Sequence, residues 1–267
     1  MTDYLYHYTS IENLTLILKN RTIKFNNLQN VDDPEEAETG DIETAGRHCL
    51  VSCWTDKEEN VIPMWSMYTP DMKGVRIKMR KYPFKQYVYG KNELHFKEET
   101  KSYINYKDEY AKIVSIVPSF PLLEKIEYTR DESLIKPKIL TRTEREISLS
   151  FYHIGRCKRS CWDFQQEYRY IIRTAPWSIK ELDEAVTPEE HELIFNRIKD
   201  KNNTQFCNEI YLELAEDTLD DMEILLAPKT SEAEWVIVQA LLDKYCPNTH
   251  DFTTFIDDTL AAELTVL

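Results

Sequence analysis

Short runs of strand length alternate with helix-spaced segments at irregular intervals along this chain, and that interleaving restricts the fold more than any other feature. The first run, Leu5-Tyr6-His7-Tyr8-Thr9, meets Ser10, a serine N-cap before Leu14, Ile17 and Leu18 on one helical face. Thr22-Ile23-Lys24-Phe25 then alternates as a short strand. The acidic segment Val31-Asp32-Asp33-Pro34-Glu35-Glu36 reads as a turn or helix start, because proline excludes a continuous strand. Residues 49–54 suit a buried strand, and Val61, Trp65 and Tyr68 recur at helical spacing until Pro70. Gly74 opens a strand over 75–79. Further strands are predicted over 112–117, 125–128, 167–173, 210–214 and 222–226. Helices are predicted over 141–159 and 233–245. Strands broken by helices in this way predict an α+β fold with a mixed or antiparallel central sheet and flanking helices. With five glycines and no Gly/Ser linker, residues 1–267 read as a single domain.

Charge and cysteine usage narrow the function classes. A net charge of −14 makes bare nucleic acid the less favoured partner, since phosphate contacts need clustered Lys and Arg. The local exception, Arg156-Cys157-Lys158-Arg159 with Arg142 and Arg145 upstream, reads as a solvated helix face. No stretch approaches the ~20 apolar residues of a membrane span. No basic-then-apolar leader is visible at the N-terminus, so a cytoplasmic protein is expected. The spacings of Cys49/Cys53 and Cys157/Cys161 differ from zinc-ribbon spacing, which favours structural thiols over a metal site.

Three segments carry side chains suited to chemistry. Period-two alternation puts Leu5, His7 and Thr9 on one strand face and Tyr4, Tyr6 and Tyr8 on the other. His7, Thr9 and Ser10 thus offer directed hydrogen bonds to a small ligand, and the alternative is a strand whose histidine serves the core or its rim. In Trp162-Asp163-Phe164-Gln165-Gln166-Glu167-Tyr168-Arg169, Glu167 and Arg169 share a face toward a cleft or solvent, as site residues or as a structural ion pair. Trp65 and Tyr68, three apart, share a helical face; Trp65 is expected to be buried and Tyr68 nearer any ligand. Gly-rich phosphate loops and nucleophile elbows are absent from the sequence.

The order of these motifs resembles a widespread bacterial family of unknown function that is related to the ADP-ribosyltransferases. The motifs are YHYTS before a helix, an Asp-Asp-Pro turn, a Ser-Cys-Trp strand, W-x-x-Y with Lys73-Gly74, and W-x-x-x-x-E-Y-R. Asn208 to Leu214, Ile224 to Lys229 and a closing helix continue the match, which covers most of the chain. At the turn Asp32 stands where the family pattern has asparagine. The resemblance implies an ADP-ribosyltransferase-like fold and an enzyme that uses NAD as substrate. Such an enzyme transfers ADP-ribose to a macromolecule or cleaves the nicotinamide–ribose bond with water. It further implies that His7 holds the adenosine ribose, that Glu167 is the catalytic carboxylate at the nicotinamide ribose, and that Tyr68 or Trp65 stacks on nicotinamide. Breaking that bond develops oxocarbenium character, which a carboxylate stabilises. Arg169 would orient Glu167 or meet a phosphate. The competing expectation is a non-enzymatic protein-interaction module keeping the same fold, with His7 and Glu167 as structural residues.

Overall fold

The structure is a computed structural model and describes residues 3–59, 62–116, 121–142 and 147–247. In chain order, β1 (Tyr4–Thr9), α1 (Ile11–Asn20), β2 (Thr22–Asn27) and β3 (Cys49–Thr55) come first. Next are α2 (Ile62–Tyr68) and β4 (Val75–Arg80). Five short strands follow: β5 (Tyr87–Tyr89), β6 (Thr100–Ser102), β7 (Ser115–Ile116), β8 (Leu123–Lys125) and β9 (Glu127–Thr129). Then come α3 (Glu132–Ile135), β10 (Leu140–Arg142), β11 (Ile147–Leu149), β12 (Cys157–Arg159) and β13 (Glu167–Ala175). The last elements are α4 (Ile179–Glu184), α5 (Pro188–Asn196), β14 (Glu209–Glu213), β15 (Glu223–Leu226) and α6 (Glu232–Tyr245). The result is a mixed α/β protein with a large antiparallel sheet and several helices. One parallel pair, β9 with β12, lies outside that sheet. The chain divides into two compact units: 1–23, 54–86 and 212–267 in the first, 24–53 and 87–211 in the second.

In the first unit β1 pairs antiparallel with β4, His7 standing opposite Ile77, and β4 pairs antiparallel with β15. Directly opposed residues share a face, so Leu5, Val75, Ile77, Met79, Ile224 and Leu226 form one apolar layer, every member buried. The other face carries Tyr4 and Tyr6 beneath the cations Lys78 and Arg76, at 4.8 and 4.7 Å from the ring centres. α1 forms as its sequence signals: Ser10 accepts a hydrogen bond from the Asn13 backbone N–H, and Leu14, Ile17 and Leu18 are buried. α1 packs against α6.

In the second unit β13 pairs with β3, β7 and β8. Its core gathers Leu28, Cys49, Val51, Phe151, Ile154 and Ile171. Gly155 sits at φ 75°, a conformation that favours glycine, and a Cβ there would meet the Cys49 sulfur at 3.1 Å. The 141–159 helix expected from the sequence is not what forms. Within the described part of that range β10 pairs antiparallel with β11 and β12 pairs with β9; residues 143–146, Arg145 among them, lie outside the described residues. Leu140, Leu149, Phe151 and Ile154 are drawn into the core cluster, and that packing outweighs helical spacing. The strand expected over 112–117 shortens to β7, and Val117, like Val61 in the α2 pattern, lies outside the described residues.

Candidate functional site

The residues singled out from the sequence fall into two groups, one in each unit: His7, Thr9, Ser10, Trp65 and Tyr68 in the first, Glu167 and Arg169 in the second.

In the first group most polar atoms build the turn from β1 into α1. The Thr9 hydroxyl, almost fully buried, accepts from Asn13 Nδ2 at 3.1 Å, while Ser10 Oγ caps α1 at 3.2 Å. Gly74 presses on the same corner, where a Cβ would lie 2.5 Å from the Thr9 carbonyl oxygen. His7 is half-buried, its ring 5.0 Å from that of Trp54 and tilted by 32°. Trp65 is 1% exposed, buried as expected, and packs edge-on against Tyr8 at 4.7 Å, whereas Tyr68 is half-buried.

The second group is a closed ionic cluster. β13 begins at Glu167, and its alternation aims Glu167 and Arg169 to the same side. Arg169 grips Glu167 with two donors, Nε to Oε1 at 2.5 Å and Nη2 to Oε2 at 3.1 Å. Lys158, from β12, reaches Glu167 Oε2 at 3.2 Å, Gln165 Oε1 at 2.8 Å and Glu36 Oε1 at 3.0 Å. Arg169 also pairs with Glu36 and donates to the Gly155 carbonyl at 3.4 Å. Glu36, Lys158, Glu167 and Arg169 are each 4% exposed or less. Two carboxylates face two cations, so the cluster is electrically balanced where an unpaired charge would be very costly. Burial penalises the charged form of Glu167, but Arg169 and then Lys158 outweigh it and hold the carboxyl below the ordinary glutamate range. Burial, followed by the charge of Glu167, pushes the neighbouring Cys53 thiol up.

The expectation that Glu167 and Arg169 face a cleft or solvent is therefore corrected: they form a buried, bidentate ion pair. The reading of Arg156-Cys157-Lys158-Arg159 as a solvated helix face is corrected as well. The last three form β12, with Lys158 turned into the cluster and Arg159 outward, at 2.8 Å from both Glu35 and Glu132. Sequence reasoning missed Glu36 and Lys158. The available signal was the pair Glu35-Glu36 behind Asp33-Pro34. Asp33 caps a 3-10 turn over Pro34–Ala37, whose tight period sends adjacent glutamates to different sides.

Two surface cavities in the second unit hold about 360 and 390 Å³. Thr129, Arg130, Arg159, Ser160, Cys161 and Asp163 line one, and residues between Glu38 and Glu43 line the other. Neither is lined by His7, Thr9, Ser10, Trp65, Tyr68, Glu167 or Arg169, although Arg159 borders the first. All six cysteines are free thiols. Among the described residues no cluster of three or more His, Cys, Asp or Glu is placed to hold a metal ion. No described helix is long and apolar enough to cross a membrane. Exposed apolar side chains occur on several helices: Leu16 on α1 is 53% exposed, Leu193 on α5 is 70% exposed, and Trp235, Val236 and Ile237 on α6 are 37%, 52% and 52% exposed. Comparison with family models, curated proteins and solved structures finds no match to this chain.

Proposed function

We propose that this chain is a non-enzymatic protein-interaction module of a reducing, cytoplasmic compartment, with Glu167 serving the fold. The observation that carries this reading is the saturation of Glu167: both its oxygens are held by buried cations that are themselves shared with Glu36. To grip a ribose hydroxyl, Glu167 would first have to give up Arg169 or Lys158 and leave a cation unpaired in the interior, a loss of several kcal/mol. The exposed Trp235, Val236 and Ile237, consecutive on α6, support contact with other proteins, because clustered exposed apolar residues mark such surfaces. The net charge of −14 favours a protein over a polyanion as partner.

The relation to ADP-ribosyltransferases, with NAD as substrate, rests on motif order alone. It is tested directly by incubating the full chain with NAD and measuring nicotinamide release. On our reading release matches the protein-free blank. Turnover in the parent chain that is lost in a folded Glu167→Gln variant would overturn the interaction reading and restore the enzyme.

A further inference from the structure

We propose that α6 is a self-association helix, pairing antiparallel with α6 of a second copy of this chain across a two-fold axis. This deepens the interaction reading by naming the partner of one surface. Glu232, Val236, Ala240 and Lys244 stand four residues apart, so they form one continuous row along the helix. All four are exposed, while Val238 and Leu242 are the buried residues that hold α6 on its own unit. Ile237, 52% exposed, and Ala233 flank the row and widen its apolar middle. Leu16, on the α1 helix that packs against α6, is also 53% exposed.

The charges choose the occupant. The row is acidic at its start, apolar in its middle and basic at its end. A second copy running the opposite way sets Glu232 against the partner's Lys244 and Val236 against the partner's Ala240, and the two-fold axis repeats each contact. Such an isologous interface needs one self-complementary patch, which this row supplies. Small Ala240 opposite branched Val236 allows close approach at a shallow crossing angle, and antiparallel helix dipoles add to the match. A parallel pairing would instead set like charges opposite each other at both ends.

Light scattering on the full chain over a concentration series should show twice the chain mass at the upper end. Ile237→Asp, at an exposed site that leaves the fold and its circular dichroism intact, should give a monomer throughout. Glu232→Lys and Lys244→Glu should each weaken association by about tenfold, and the double charge swap should restore it. A parent chain that stays monomeric, or a dimer indifferent to Ile237→Asp, overturns the proposal. A photo-crosslinker at position 237 should join two copies. A product within one chain, or one with a different protein, also overturns self-pairing. The last of these outcomes would leave the broader interaction reading standing, whereas NAD turnover lost with Glu167 would end that reading without touching the dimer.

Discussion

Glu167 and Arg169, two apart on a strand, are certain to share a face, and that spacing leaves open what else the pair meets. The answer comes from Lys158 and Glu36, which are distant in sequence and brought close only when β12 and the turn after Asp33 assemble. The consequence is measurable. Glu167→Gln keeps the shape and removes one of two buried negative charges, so Lys158 and Arg169 are left to share Glu36. Breaking a buried pair by removing one partner costs about 3–5 kcal/mol, and urea melts of the variant should show a loss of that order. A loss under ~1 kcal/mol would mean that the carboxylate is not the keystone of the cluster. The residues that could be read from sequence were those whose roles are local: Ser10 at the cap and Trp65 on the buried side of its helix. Lys158 could not be read, because a lysine inside a basic run looks solvated until its strand alternation and its distant acids are known.

At the scale of elements, α4 and α5 show a signal that the apolar pattern hides. Both are rich in Glu and weak in hydrophobic periodicity, yet each opens with a capping box, Ser178 with Glu181 and Thr187 with Glu190. In α4 Ser178 Oγ accepts from the Glu181 N–H at 3.2 Å, and Glu181 Oε2 accepts from the Ser178 N–H at 2.8 Å. Arg197 reaches the other oxygen of Glu181 at 2.6 Å. Burial disfavours the charged Glu181, but the Ser178 N–H and Arg197 outweigh it and lower its pKa to about 2. Because that value lies below the unfolded 4.5, the associated stability is present above pH 4.5 and is lost as pH falls toward 2. Ser178→Ala should cost about 1 kcal/mol and move the Glu181 titration back toward its ordinary value. Carboxyl chemical shifts followed against pH would check this; an unmoved titration would assign the shift to Arg197 and the remaining backbone donor. The expected 141–159 helix failed for the converse reason. Its apolar residues suited helical spacing, but the same residues serve two short strands and the core loop around Gly155, and long-range packing decided between them.

At the scale of the whole molecule, alternation and caps were enough to predict an α+β protein with a mixed or antiparallel sheet, and the large sheet is antiparallel. The chain crosses between its two compact units inside β2, β3 and β14 and at the start of β5, and composition changes at none of these points. The same burial that hides these relations leaves a global mark on stability against pH. His48, 1% exposed, has its pKa lowered to about 3, first by burial and then by the adjacent Arg47. The unfolded chain takes up a proton at His48 near pH 6.5 while the folded chain does not, so stability falls as pH drops below 6.5. Glu167 adds a second fall below 4.5, since its folded pKa lies under the unfolded value. Two stages are therefore expected, with about 2 kcal/mol lost between neutral pH and pH ~5, before the carboxylates contribute. Urea melts across this range test the order of events. His48→Asn, which cannot take up the proton, should flatten the first stage and leave the second in place. If the parent's stability is level down to pH 4.5, the unfolded histidine is not the group that drives the first loss, and His48 is protonated in the folded chain as well.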